Sequence, residues 1–264
     1  MRGGEDGRAR GLLPGVRDPG LLLMEPLQVD VVGLARGARR SLPRRAAAEA
    51  IGTALLVAAV IGSGISAARL SPGDLGLQLF ENAMATGAAL VAIILALGPV
   101  SGAYLNPVVT AVDAARGGLR AGEAWTYAGA QVAGGVAGAM IANLMFSLPA
   151  IELSTKHRGG AGVLLGEVVA TIGLVLVVAG ATRAGRLTAT AVAVGAYIAG
   201  AYFFTSSTSF ANPAVTVARS LSDTFAGIAP ASVVPFLLME ILGGALGYIL
   251  VRWWFGASDR TVAS

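Results

Sequence analysis

This chain has no cysteine and a single histidine, His157. Disulfides, thiolate metal sites and cysteine nucleophiles are therefore excluded, and a metal centre or Ser-His-Asp catalysis has almost nothing to draw on. Charge is scarce as well: 13% of the residues are Asp, Glu, Lys or Arg, against ~25% in ordinary soluble domains. No nucleophile–base spacing, metal cluster or phosphate loop is present, so the chain is not read as an enzyme and no cofactor or metal is expected. The net charge of +4 is modest and comes largely from arginine in the flanks, which argues against nucleic-acid binding. What the chain has in quantity is apolar residue, 55% of 264, with 37 glycines. Most of the glycines lie inside apolar segments, where small residues let membrane helices approach one another. The composition points to a membrane protein.

Six apolar stretches, at roughly 46–67, 76–97, 121–146, 162–182, 187–204 and 231–251, each come near the ~20 residues that cross a bilayer. Two shorter segments, about 106–115 and 212–221, begin at Asn-Pro and are too short to cross. Asn is a good helix N-cap and Pro suits the first helical position. Residues 1–44 differ from the rest, being rich in arginine, glycine and proline, and are expected to form a disordered basic tail. Leu21-Leu22-Leu23-Met24 is too short for the core of a signal peptide, and Met24 is an alternative start. Basic residues set the orientation. With both termini cytoplasmic, the inside carries Arg39, Arg40, Arg44, Arg45, Arg116, Arg120, Arg183, Arg186, Arg252 and Arg260, and the outside only Arg69, Lys156, Arg158 and Arg219.

Three matches in the same order relate the two halves. Glu49-x-x-Gly52-Thr53 answers Glu167-x-x-Ala170-Thr171; Asn106-Pro107-Val108-Val109-Thr110 answers Asn212-Pro213-Ala214-Val215-Thr216. Gln131-x-x-Gly134-Gly135-x-x-Gly138 answers Glu240-x-x-Gly243-Gly244-x-x-Gly247. Each half has three spanning helices, an odd number, so the second copy lies upside down relative to the first. The fold expected is an all-α membrane protein of six transmembrane helices and two half-helices in an inverted 3+3 repeat. Repeat one takes 46–146 and repeat two 161–253 within a domain of 45–254, followed by a cytoplasmic tail, 255–264. Inversion brings the two Asn-Pro helices together at the bilayer centre, N-terminus toward N-terminus. Their unpaired N–H groups and the Asn106 and Asn212 amides then offer hydrogen bonds to a neutral solute and repel protons and other cations.

Through Ser101-Gly102-Ala103-Tyr104-Leu105-Asn106-Pro107-Val108 and the Asn212-Pro213-Ala214 box, residues 45–254 resemble the aquaporin, or major intrinsic protein, family. That resemblance implies a right-handed six-helix bundle, a homotetramer with one pore per subunit, and passive conduction. By resemblance, Glu49 and Glu167 accept hydrogen bonds from the irregular loops before each Asn-Pro; a proton-coupling role is the alternative, because an ionisable group inside a membrane helix usually has a functional partner. Gln131 and Glu240 are left without a definite role, a solvated helix face being open for Glu240. Val108 replaces the usual Ala and is expected to narrow the pore slightly. Tyr104 stands where many relatives have His, removing one pH-sensing group.

The larger departure is Val215, which follows the second box where water and glycerol channels typically carry Arg. Arg219, one turn further on, is expected to pair with a loop carbonyl or with Asp223 rather than to line the pore. Counting back from the boxes places the remaining filter positions at Thr86, at Gly200 (or Tyr197), and at Ser209. A ring of Thr86, Gly200, Ser209 and Val215 would be wide and uncharged, without a fixed cation. The stretch Thr205–Arg219 is also similar to a bacterial branch of the family often associated with arsenic resistance. The function implied is a passive channel in a bacterial-type inner membrane for glycerol, metalloid acids such as arsenous acid, and water. The alternatives are a coupled secondary transporter and a strict water channel.

Overall fold

Eight helices account for most of residues 40–256, the part of the chain that the computed structural model describes. They are α1 (Leu42–Leu70), α2 (Leu75–Ser101), α3 (Pro107–Ala115), α4 (Ala121–Met145), α5 (Ala161–Arg183), α6 (Leu187–Phe204), α7 (Pro213–Arg219) and α8 (Pro230–Phe255). The basic tail expected over 1–44 lies outside the described residues up to Arg39, and so does the C-terminal tail from residue 257. The boundary itself moves: α1 begins at Leu42 with Pro43 in its first turn, and α8 still holds Phe255.

Six of the helices are long and apolar enough to cross a membrane, with 18 to 29 residues each. At ~1.5 Å per residue even the shortest reaches about 27 Å, close to the ~30 Å hydrocarbon core. Helices α3 and α7, nine and seven residues long, reach only about 14 and 10 Å. They begin where Pro fixes the first helical residue and end before they can cross. The chain is a multi-pass membrane protein with the inverted 3+3 architecture. Its outer surface suits lipid: Leu55, Phe80, Met84, Leu238 and Ile241 stand exposed, while Trp125, Trp253 and Trp254 stand exposed near helix ends, the level that amphipathic rings favour.

The third sequence match of the repeat is a packing device. A Cβ at Gly134 would stand 2.0 Å from the Ala50 carbonyl oxygen, and one at Gly138 2.3 Å from that of Ala54, so α4 can lie against α1 only as glycine. In the second repeat, a Cβ at Gly243 would stand 2.7 Å from the Val168 carbonyl oxygen and one at Gly247 2.9 Å from Val175 Cβ, so the same device seats α8 on α5. The middle glycines cross between repeats. Gly135 of α4 meets Ala214 of α7, and Gly244 of α8 meets Val108 of α3. Each half-helix is thus wedged against the third helix of the other repeat.

Buried polar groups follow the same economy. Arg45, buried in α1, bonds Glu123 and Tyr127 of α4, and Tyr127 Oη donates to the Ser101 carbonyl at 2.9 Å. Beyond α7, residues 148–160 run against 220–229. Glu152 N donates to Leu221 O at 3.1 Å and Ala229 N to Lys156 O at 2.8 Å. Asp223 accepts from Thr155 N at 2.9 Å. That backbone bond holds its carboxyl below the ordinary range.

Candidate functional site

The residues before each Asn-Pro box are not helical, and they repeat in conformation as well as in order. Gly102, Ala103 and Leu105 have φ of 96°, 48° and 54°; Thr208, Ser209 and Ala211 have φ of 64°, 49° and 48°. Five of these six carry side chains, each held in a left-handed region that costs ~1–2 kcal/mol. Such strain persists only where the surroundings fix it. Two buried carboxylates do so. Glu49 accepts from Ser101 Oγ (2.6 Å), Tyr104 N (3.0 Å), Leu105 N (2.7 Å) and Gln131 Nε2 (2.8 Å). Glu167 accepts from Phe210 N (2.9 Å) and Ala211 N (2.8 Å). Glu240 is fully buried rather than on a solvated face. It lies beside Glu167 and accepts from Asn212 N (3.2 Å) and Thr216 Oγ1 (2.5 Å), in the place where Gln131 serves repeat one.

The two loops are tied to each other by the Asn side chains. Asn106 Nδ2 donates to Ala211 O at 2.7 Å and Asn212 Nδ2 to Leu105 O at 2.8 Å. Each Oδ1 caps its own half-helix, taking Val108 N at 2.9 Å and Ala214 N at 3.1 Å. An amide nitrogen has two hydrogens, so each Asn keeps one N–H beyond these bonds. Both Asn106 and Asn212 line one cavity of about 470 Å³. It runs from Asp113, Arg116 and Arg186 at the C-terminal end of α3, past the two Asn, to Thr86, Tyr202 and Arg219 at the far end of α7. Its middle is walled by aliphatic side chains such as Leu56, Val60, Leu90 and Val194.

Thr86, Ser209 and Val215 all lie on this wall. The Ser209 hydroxyl is buried without a hydrogen-bond partner among the described residues, and Thr86 Oγ1 accepts from Tyr202 Oη at 3.3 Å. Gly200 does not belong there. It is exposed on the outer side of α6, with open space where a Cβ would sit. Tyr197 faces α5, its hydroxyl donating to Ala170 O at 2.9 Å. The α6 residue at the wall is Tyr202, in line with Ile198 and Val194 at helical spacing. Val108 is also corrected. It fills the notch that Gly244 leaves in α8 and packs on Val175, Ala179 and Val251, because the second position of the half-helix points sideways; it does not narrow the cavity. Pro107 and Pro213 are half-buried at the starts of α3 and α7. Ala214 is buried against Gly135.

Arg219 pairs with a loop carbonyl as anticipated, its Nε donating to Ala226 O, while Asp223 is taken by Thr155. It nevertheless lines the cavity. The sequence held the signal in its spacing: residues four apart on a helix share a face, so a wall position at Val215 carries Arg219 with it.

A family model described as major intrinsic protein matches residues 38–188, more than half of the chain. The chain belongs to the major intrinsic protein family. It is 49% identical over 212 residues to aquaglyceroporin AqpS of Rhizobium meliloti (strain 1021), covering 80% of this chain and 90% of that one. It is 32% identical over 225 residues to aquaporin Z of Bradyrhizobium diazoefficiens, covering 80% and 92%. The solved aquaglyceroporin of Plasmodium falciparum shares the fold, with a TM-score of 0.64 over 81% of this chain and 97% of that one at 18% identity.

In this member of the major intrinsic proteins, the clamp on the first loop is open to a direct test. Glu49→Gln keeps the size but sets an amide NH₂ against a backbone or Gln131 donor, and is expected to cost about 1–3 kcal/mol. Thermal unfolding in detergent should show a lowered midpoint; an unchanged midpoint would mean that the carboxylate does not hold the loop.

Proposed function

We propose that this chain is a passive channel for small neutral solutes, glycerol among them, and for water. The observation that carries this reading is that two Asn amides, each with a free N–H, open into one otherwise largely aliphatic cavity. A neutral hydroxylated solute exchanges its water for those donors, while the N-terminal ends of α3 and α7 repel cations. The two bacterial relatives, an aquaglyceroporin and an aquaporin, agree with this reading. With Thr86, Ser209 and Val215 on the wall, the position after the second box is uncharged and leaves the space of an arginine side chain open to a triol. Arsenous acid, a neutral metalloid trihydroxide of similar size, belongs to the same solute class. The arginine distribution favours both termini cytoplasmic, the bacterial relatives favour a bacterial-type inner membrane, and the family resemblance favours a homotetramer.

The adjoining Glu167 and Glu240 carboxyls are what a coupled transporter reading would build on. The repeat argues for a supporting role, since Gln131 fills the equivalent place. Glu240→Gln should therefore fold and conduct, because its amide can donate to Glu167 as Gln131 donates to Glu49; loss of solute flux in a folded variant would favour proton coupling.

The filter is tested by stopped-flow light scattering on proteoliposomes. Val215→Arg should lower glycerol permeability by about tenfold or more while water falls less, a cation with a long side chain having been placed in the solute path. Equal fluxes in the two proteins would remove Val215 from the filter, and a wild type passing water but no glycerol would leave a strict water channel.

A further inference from the structure

Arg219 is 2% exposed, on a half-helix inside the membrane. A buried guanidinium needs partners for its donors or it is strongly destabilising. Among the described residues its hydrogen-bond acceptor is a single carbonyl, Ala226 O, reached through Nε. The carbon of the guanidinium sits 3.5 Å from the centre of the Phe210 ring, an arrangement in which the ring face attracts the cation. Phe210 is itself fixed, packing edge-on against Phe236 at 5.0 Å and giving its N–H to Glu167. Nε and the ring hold the group in place, and the side chain forms part of the cavity wall. The terminal nitrogens are thereby left to the cavity.

The surroundings fit a positive, donor-rich mouth. Ser209 has a buried hydroxyl with no partner among the described residues, and it shares the wall with Arg219, Thr86 and Tyr202. Arg158 lies over the same Phe210 ring at 5.0 Å and is held by Gly227 O at 2.9 Å. The Lys156 ammonium nearby is drawn down to about 8 by partial burial and by the charges of Arg158 and Arg219.

We propose that Arg219 and Ser209 form a solute subsite at this end of the cavity, binding small uncharged molecules through an oxygen acceptor and excluding monovalent cations. Arg219 supplies from one turn beyond Val215 the fixed charge that the residue after the second box lacks. The subsite corrects the expectation of a filter without a cation, and it rests on the channel reading given above.

The test uses proteoliposomes carrying wild type, Arg219→Leu or Arg219→Lys, with glycerol, water and potential-driven methylammonium flux measured on each. Wild type should pass glycerol and stay tight to methylammonium. Arg219→Leu should leak methylammonium at least about tenfold faster, a unit charge a few ångströms from the path being worth more than that; its own glycerol flux shows that the pore has assembled. A glycerol-conducting Arg219→Leu that remains cation-tight overturns the subsite. If that variant does not assemble, Arg219→Lys decides. It keeps the charge but loses the planar donor fork, so it should stay cation-tight with a changed ratio of glycerol to water permeability. A purely structural role would lower all fluxes together and leave the ratio at the wild-type value, which also overturns the proposal. A wild type that passes no glycerol overturns the channel reading, and the subsite with it.

Discussion

Each half of this molecule finishes the other through one pair of side-chain bonds. Asn106 donates to the loop that precedes Asn212, and Asn212 donates to the loop that precedes Asn106. Those carbonyls lie at membrane depth, where water cannot be relied on to pair them, and each takes its side-chain bond from the other repeat. Because both bonds use only one of the two amide hydrogens, the link that closes the fold also leaves a donor facing the cavity from each side. The pair that closes the fold is thus also the pair proposed to meet the solute.

Around that link the chain arranges charge sparingly. Strained left-handed residues before each box are held by Glu49 and Glu167, and the glycines of α4 and α8 let the half-helices come close enough for the link to form. Val108 with Gly244 and Ala214 with Gly135 are two versions of one contact. The first repeat has the larger side chain on the half-helix, and the notch opposite accepts it. The pairing of Gln131 with Glu49 and of Glu240 with Glu167 is a second such case, chemically asymmetric although the geometry repeats.

Most of the architecture was legible because it rests on properties that do not depend on neighbours. Apolar runs of spanning length, Asn-Pro starts and the triple internal match gave six spans, two half-helices and their inversion, and the comparisons agree with that fold. The filter was harder to read. The count to Gly200 crosses a loop with three left-handed residues, where residue number stops tracking position, and the α6 wall lies on the Val194–Ile198–Tyr202 face. The direction of Val108 is not legible in the sequence because it is set by the gap at Gly244, in a helix more than a hundred residues away. For Arg219 the sequence points to both features: the loop carbonyl partner follows from its neighbourhood, and its place on the cavity wall follows from the four-residue spacing to Val215.

The central claim is that solute moves passively through the space between the two half-helices. It is tested most directly by loading proteoliposomes with the wild-type protein and following glycerol down its gradient with and without a protonophore. Fast flux, equal in both conditions and ending at equal concentrations inside and out, is what the account predicts. Accumulation above the outside concentration that the protonophore abolishes would contradict it, and so would no flux from a folded protein.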